Sequence, residues 1–316
     1  MFSSLRTREE ESGTRCHLRV TSLERARLSL EGLSLGDAFG ERFFVHPHTV
    51  DALIDQRALP GQRVWGWTDD TAMALSIVEE LEAHGAIDRD SLAQRFVRRY
   101  VAEPGRGYGG GAHRILGNLA QGLPWPEVAR SVFGGQGSKG NGSAMRAPPI
   151  GAYFCGDLPR CVEQAGLSAD PTHAHPDGRA GAIATAVCAA LVVGTELEGR
   201  ALLEATLALT PAGPTREGLV RAAALDHITS ARNAAAILGS GAQVLCEDTV
   251  PFALWCASRF SRSFEEAMWA TVSGLGDRDT TCAIVGGIVA LRVGLAGLPP
   301  RWLAHREPLR AETTRE

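Results

Sequence analysis

Apolar residues recur at helical spacing along most of this chain, and this periodicity constrains the fold more than any other feature. Met73, Ile77 and Leu81 are four residues apart, with Ala74 and Val78 beside them and glutamates on the opposite face. Such a pattern is typical of an amphipathic helix packed on a core. Alternating runs of the β type are scarce. Eleven helices are predicted on this basis, at 28–39, 71–84, 91–100, 126–132, 158–168, 179–193, 200–209, 216–229, 251–258, 264–272 and 281–295.

The connections between these helices are too short to separate two domains. A chain of 316 residues with 44% hydrophobic side chains can bury one sizeable core. Residues 1–22 are charged and poor in apolar side chains, so we predict a poorly ordered tail there. Residues 23–310 are predicted to form a single all-α domain.

Charge and cysteine usage exclude several classes of protein. A net charge of −4 argues against bulk nucleic-acid binding. Seven cysteines, odd in number and without a CxxC pair, indicate neither a disulfide framework nor a zinc module. The N-terminal stretch lacks an apolar signal-like core, and later apolar runs are interrupted before the length of a membrane span. We therefore expect a soluble cytoplasmic protein that binds no membrane.

Two of the predicted helices are preceded by segments with the same residue types, two aspartates and adjacent threonines. WTDDT (67–71) comes before one, and GDRDTT (276–281) comes before another. A single Asp or Thr at such a place is most often an N-cap. Each segment, however, offers two carboxylates and a hydroxyl, whereas a cap needs one group. If the segments converge, their carboxylates repel unless cations lie among them, and hard oxygen ligands favour Mg²⁺, Mn²⁺ or Ca²⁺. A two-metal site satisfies this arrangement.

The glycine-rich stretch GGQGSKGNGS (134–143) is either a flexible loop or a binding site for a diphosphate. It is not a Walker loop, because it lacks GK[ST], and no predicted strand precedes it as in a dinucleotide fold. Backbone N–H groups without neighbouring Cβ atoms can approach a diphosphate closely, and Lys139 adds one positive charge.

Histidine pairs and one loop tyrosine leave further alternatives open. His46/His48 and His173/His175 have the HxH spacing of an amidohydrolase-type metal site, but that site needs a β-barrel whose strands are missing. Tyr108, in GRGYGGG (105–111), is either a wall of a ligand pocket or an ordinary packed loop aromatic.

Several blocks together resemble the ADP-ribosylglycohydrolase family, and they occur in family order between Leu28 and Gly297. The resemblance implies an orthogonal bundle of helices and a hydrolase that removes ADP-ribose from an arginine, a serine or a small molecule. ADP-ribose would be the product. The matching blocks are GDAFG (36–40), WTDDT (67–71), RGYG (106–109), GNGSAMR (140–146), Thr172-His173 and GDRDT (276–280).

The resemblance also implies roles for individual residues. Two Mg²⁺ or Mn²⁺ ions would be held by Thr68, Asp69, Asp70, Asp277, Asp279 and Thr280. ADP-ribose would contact Ser138, Gly140, Asn141, Gly142 and His173, with Tyr108 as a further candidate. One of the aspartates, Asp70 or Asp279, would take the proton from the attacking water.

One position departs from the family pattern. In several relatives the first block continues as GDxxGxxxE, but the equivalent residue here is Phe44. Glu41 is expected to replace that glutamate, with Gly40 allowing an early turn of the chain; Glu103 is a second candidate acid. This difference keeps an alternative open, namely an ADP-ribose-binding pseudoenzyme or a toxin-neutralising binding protein. The complete set of metal ligands favours the enzyme.

Overall fold

The computed structural model describes residues 20–61 and 64–309, and these ranges are largely helical. Within them no β-strand forms, and the extended contacts are two isolated bridges, Trp65 with Arg306 and Gly140 with Leu245. The all-α prediction is confirmed. Of the predicted tail, residues 1–19 lie outside the described residues.

Sixteen α-helices follow one another in the described part of the chain, joined by short connections. Three 3₁₀ turns lie at Phe133–Gly135, Asn141–Ser143 and Leu295–Gly297. The helices are α1 (Ser22–Glu41), α2 (Pro47–Asp55), α3 (Asp69–His84), α4 (Arg89–Ala102), α5 (Gly110–Ala120), α6 (Trp125–Ser131), α7 (Pro148–Tyr153), α8 (Leu158–Ala169), α9 (Pro176–Gly194), α10 (Gly199–Leu209), α11 (Pro214–Ala224), α12 (Ala231–Leu238), α13 (Cys246–Arg259), α14 (Phe264–Val272), α15 (Arg278–Val293) and α16 (Pro300–His305).

Local sequence explains where these helices begin and end. At α1, Thr21 and Glu24 form a capping box, in which the Thr21 hydroxyl accepts the Glu24 N–H at 3.2 Å and the Glu24 carboxylate accepts the Thr21 N–H at 2.7 Å. The predicted helix 216–229 is too long: α11 ends at Ala224, and the Asp226 side chain then forms a turn with the Ile228 N–H. Sequence periodicity missed α2, α5, α7, α12 and α16, which are short.

Close contact between α1 and α15 positions the rest of the molecule. An added Cβ at Gly36 would lie 2.0 Å from the Cys282 carbonyl oxygen, and one at Gly40 would lie 2.2 Å from that of Arg278. Only glycine allows this approach of two backbones. The end of α1 and the start of α15 are thereby brought side by side.

Helix α9 is the most apolar element and packs against α7, α8, α10, α13 and α15. It is long and apolar enough to cross a membrane by length and composition, but 83% of its apolar window is buried within the fold. It therefore serves here as a core helix.

Candidate functional site

The two Thr/Asp segments meet at the neighbouring N-termini of α3 and α15. Asp69 and Asp70 lie in the first turn of α3, and Asp279 lies in the first turn of α15. The Thr280 hydroxyl donates to Asp70 Oδ2 at 3.4 Å, which joins residues 210 positions apart in sequence. The structure therefore brings together the carboxylates that the sequence places far apart.

Asp37, on α1, holds the first segment in place. Its buried carboxylate accepts the backbone N–H of Thr68 at 2.9 Å and that of Thr71 at 3.1 Å, together with both threonine hydroxyls. Sequence analysis placed Asp37 in the matching GDAFG block but gave it no role. It satisfies N–H groups at the start of α3 and so fixes the direction of Asp69 and Asp70.

Helix capping does not account for the paired carboxylates. At α3 the Thr68 hydroxyl, rather than an aspartate, is the capping group. At α15 Asp277 occupies the N-cap position but makes no capping hydrogen bond through its side chain. Its Oδ2 instead accepts a hydrogen bond from the Asn141 amide at 2.7 Å. These carboxylates are therefore available for another function.

Burial and mutual repulsion raise the pKa of the clustered acids. The pKa of Asp70 and that of Asp279 are both raised well above their usual range, first by burial and then by neighbouring carboxylates. Burial, with the charge of Asp37, raises the pKa of Asp69 to about 7. In Asp37 burial outweighs its hydrogen bonds and raises the pKa to about 6. A positive charge among these four carboxylates would offset their mutual repulsion.

The donor chemistry at this point fits hard divalent cations. Asp70 Oδ1 is buried and has no hydrogen-bond partner in the described part of the chain, and such an atom is costly unless a ligand satisfies it. In residues 20–61 and 64–309, however, no group of three or more His, Cys, Asp or Glu side chains is already arranged to hold a metal ion. Carboxylate and hydroxyl oxygens are suitable ligands for hard divalent cations, and cation binding would require these side chains to change their conformations.

Thermal stability at two pH values tests this electrostatic account. With EDTA, we expect Tm to fall by a few degrees between pH 6.5 and pH 8. The raised pKa of Asp69, Asp70 and Asp279 means that the folded state binds more protons than the unfolded chain, so stability decreases as pH rises through these values. Added Mg²⁺ should stabilise the protein more at pH 8 than at pH 6.5. Scanning fluorimetry measures both, and an EDTA curve that rises with pH would contradict the account.

A cavity of about 550 Å³ opens from the carboxylates, a size typical of small-molecule sites. Asp69, Asp70, Asp277, Asp279 and Thr280 line one end. The glycine-rich loop forms one wall, and the start of α5 forms another. The lining includes Gly107, Gly109, Gly110, Gly111, Ile115, Leu116, Phe133, Gln136, Gly137, Ser138, Lys139, Gly140, Asn141, Gly142, Arg146, His173, His175, Gln243, Val244 and Leu245.

The segment 243–246 is hydrogen-bonded to the glycine-rich loop. Asn141 donates its backbone N–H to the Val244 carbonyl at 3.1 Å, and Cys246 donates its own to the Lys139 carbonyl at 3.1 Å. The Cys246 thiol also lies 3.0 Å from the Gly140 carbonyl oxygen. The loop is thus held in one conformation against the cavity.

Arg146, Thr172 and His173 form a buried chain of hydrogen bonds behind the loop. The Arg146 guanidinium donates to the Thr172 hydroxyl at 2.8 Å, and that hydroxyl lies 2.7 Å from His173 Nδ1. Burial, with a contribution from Arg146, lowers the pKa of His173 to about 3, so the imidazole is neutral. If the Thr172 hydroxyl donates to Nδ1, the proton lies on Nε2, which is close to Gly140 and Gly142. His173 would then offer a neutral N–H donor to the cavity.

Comparison with known proteins agrees with this geometry. A family model described as ADP-ribosylglycohydrolase matches residues 18–315. The chain belongs to the ADP-ribosylglycohydrolase family. ADP-ribosylhydrolase ARH3 from Mus musculus is 29% identical, over 89% of this chain and 87% of that protein. ADP-ribosylarginine hydrolase Tri1 from Pseudomonas putida (strain GB-1) is 26% identical, over 89% and 74%. A solved structure titled "ADP-ribosylglycohydrolase-related protein complex" aligns with TM-score 0.59 and 26% identity, over 90% of this chain and 93% of that one.

Most residues that the family resemblance selected lie at the cavity. Asp69, Asp70, Asp277, Asp279, Thr280 and the four loop residues line it, as does His173. Thr68 is buried behind them, 3.1 Å from Asp70 Oδ2. Their roles as metal or substrate ligands stay predictions. The amidohydrolase alternative is wrong, since the matched family is a different one and the described residues form no barrel.

Three candidates lie away from the cavity lining. Tyr108 is buried, and its ring packs edge-on against Tyr100 at 5.2 Å. Glu103 is exposed and forms an ion pair with Arg106 at 3.0 Å. Glu41 is half-buried at the last position of α1, and burial raises the pKa of its carboxyl. None of the three is part of the cavity wall in this conformation.

The early turn expected at Gly40 is wrong. Helix α1 continues through Gly40 to Glu41, and the left-handed conformation is not used there. Gly40 is needed instead because the backbone of Arg278 and Asp279 packs directly against it. Glu41 is consequently placed one residue from the contact with the second carboxylate segment.

Sequence analysis missed several residues of the cavity wall. Arg146 lay within a matching block, whereas Phe133 and the segment 243–245 had no motif to mark them. Phe133 and Val244 are both exposed, and both hold the left-handed conformation, with φ of 53° and 58°. Non-glycine residues rarely adopt such angles, and they often do so at binding sites. The one local indication in the sequence was Phe133 itself, an aromatic residue between the end of the predicted helix 126–132 and two glycines.

Proposed function

We propose that this member of the ADP-ribosylglycohydrolase family hydrolyses the bond between ADP-ribose and an acceptor, with the help of two divalent cations. The observation that carries the proposal is the convergence of two Thr/Asp segments at one end of a cavity walled by a glycine-rich loop. The names of the relatives, ADP-ribosylhydrolase and ADP-ribosylarginine hydrolase, support the reaction class.

The cations would be held by the six predicted ligands, namely Thr68, Asp69, Asp70, Asp277, Asp279 and Thr280. When bound, Mg²⁺ or Mn²⁺ would offset the negative charge and supply Lewis-acid chemistry at the ribose. Hydrolysis at the anomeric carbon develops positive charge on the ribose, which a carboxylate oxygen facing the cavity would stabilise. Asp70 or Asp279 would accept the proton of the attacking water, since both side chains face the end of the cavity where the cations would be held.

The loop would bind the diphosphate through its backbone. Within it the N–H groups of Gly135, Gln136, Gly137, Gly140 and Asn141 donate to groups of the protein. Of the other loop residues, Ser138, Lys139 and Gly142 line the cavity, so their N–H groups would be the ones offered to a ligand. The Lys139 ammonium pairs with Glu247 at 3.1 Å, so its charge is already partly neutralised.

Two loop variants separate backbone from side-chain recognition. We expect Gly142→Val to weaken ADP-ribose binding far more than Lys139→Ala, because even one Cβ at Gly142 would lie 3.2 Å from His173 Cε1. A branched side chain would fill the space where the diphosphate approaches. Calorimetry with ADP-ribose measures both affinities. The reverse order would show that the loop acts through the charge of Lys139.

Release of free ADP-ribose tests the function itself. Peptides carrying arginine-linked or serine-linked ADP-ribose are incubated with the protein in Mg²⁺ or in EDTA, and the product is quantified by chromatography. We expect release in Mg²⁺, loss of release in EDTA, and recovery when Mg²⁺ or Mn²⁺ is restored. The linkage that is cleaved identifies the acceptor class.

A binding protein without turnover is the second candidate. Phe44 favours it, because several relatives carry a glutamate at that position. Tight ADP-ribose binding with no release from either peptide or from small-molecule conjugates would support this candidate and contradict hydrolysis.

A further inference from the structure

Asn141 lies at the point where the glycine-rich loop touches the second carboxylate segment. Its side-chain Nδ2 is 2.7 Å from Asp277 Oδ2 and 3.0 Å from the Thr249 hydroxyl oxygen. The residue is only 3% exposed although it contributes to the cavity wall. These contacts differ from those expected of a residue that binds a diphosphate.

The chemistry of the contacts determines the orientation of the amide. Asp277 Oδ2 and the Thr249 hydroxyl oxygen can both accept a hydrogen bond, so the nitrogen rather than the oxygen of the Asn141 amide faces them. The two N–H groups of that nitrogen then point to Asp277 and Thr249. The backbone N–H of Asn141 is also engaged, at 3.1 Å from the Val244 carbonyl oxygen. No donor of Asn141 is left for a phosphate, and its remaining side-chain oxygen would repel one.

Asp277 is held from its other side as well. Its backbone N–H donates to the Ser240 carbonyl at 3.1 Å. Gly241 packs so closely that an added Cβ would lie 2.6 Å from Asp277 Cβ. With the backbone fixed and Oδ2 engaged by Asn141, the Asp277 side chain has little rotational freedom.

We propose that Asn141 is a positioning residue that orients Asp277 for cation binding and joins the diphosphate loop to the metal-binding half of the site. This inference rests on the proposed metal-dependent function. The hydrogen bond to Asn141 occupies Asp277 Oδ2, and the Asp277 carboxyl also lies within hydrogen-bond distance of the Asp279 side chain, with which it would share a cation. Partners of this kind behind a metal ligand commonly change metal affinity by about 10- to 100-fold when they are removed.

Mn²⁺ binding and ADP-ribose binding are measured separately on the same full-length variants. Free Mn²⁺ is titrated by electron paramagnetic resonance, and ADP-ribose affinity is measured by calorimetry in EDTA. For Asn141→Ala we expect Mn²⁺ Kd to rise about 10- to 100-fold, with little change in the EDTA affinity for ADP-ribose. Thr249→Val, which is close in shape and removes the second anchor of the amide, should shift Mn²⁺ Kd in the same direction by less.

Ser138→Ala is the matched control, because Ser138 lies in the same loop and lines the cavity but contacts Gly140 rather than a carboxylate. It should leave Mn²⁺ Kd unchanged. If the unaltered protein binds Mn²⁺ and neither Asn141→Ala nor Thr249→Val weakens that binding, the inference is overturned while the proposed function stands. Loss of ADP-ribose affinity alone would make Asn141 a substrate ligand. Absence of Mn²⁺ binding in the unaltered protein would overturn both.

Discussion

Replacing Asp279 with alanine is expected to lower kcat by about 10³-fold or more while leaving the helical fold intact. The Asp279 side chain lies at the start of α15 beside Asp70 and Asp277. Burial and neighbouring carboxylates raise the pKa of Asp279 and that of Asp70 well above their usual range. Loss of a cation ligand would remove several kcal/mol of transition-state stabilisation, and about 1.4 kcal/mol corresponds to a tenfold change in rate. Single-turnover release of ADP-ribose at saturating Mg²⁺ measures the effect.

Asp226→Ala is a suitable control, since Asp226 is an exposed aspartate whose side chain contacts His227 on the surface. It should retain full turnover. Removing Asp279 also removes a repelling charge, so in EDTA the variant should unfold at a Tm no lower than that of the unaltered protein. Full turnover in Asp279→Ala, with circular dichroism showing an intact fold, would exclude the second carboxylate segment from the reaction.

The two Thr/Asp segments could be predicted from the sequence because each is a local pattern. Paired acids directly before an apolar helix stand out, and the close approach of α1 to α15 then brings the segments together. That approach depends on glycines four residues apart, Gly36 and Gly40, whose role becomes evident only when the partner backbone is known. The carboxylates were therefore predictable as groups, whereas the way they are held was not.

The role of Asn141 shows why other parts of the site could not be predicted. In sequence it belongs to a glycine-rich stretch, and local chemistry favours a diphosphate ligand. Its decisive partner, Asp277, lies 136 residues further along the chain. The segment 243–246 is similar, since it resembles an ordinary turn and gains its function only by pairing with the loop. Contacts of this kind depend on tertiary packing and have no local sequence signal.

A second large effect is expected at Glu41, for which we predict that Glu41→Gln lowers kcat by about 10²–10⁴-fold with little change in ADP-ribose affinity. Glu41 follows Gly40, which contacts the backbone of Arg278 and Asp279, and burial raises the pKa of its carboxyl, as suits a general acid. Because Glu41 does not line the cavity, this role requires the acceptor to extend from the cavity towards the end of α1.

Phe44 makes this expectation testable by relocation of the carboxylate. Phe44 is half-exposed, and the Arg278 guanidinium lies 4.7 Å from its ring centroid, so a glutamate there would meet a cation and cost little stability. We expect Phe44→Glu to restore part of the turnover that Glu41→Gln removes, because it places a carboxylate at the position where the family resemblance predicts one. Surface Glu82→Gln, at the far end of α3, controls for the loss of one charge. If Glu41→Gln retains full turnover, Glu41 has no part in the mechanism, and the proton transfer rests with the aspartates of the two segments.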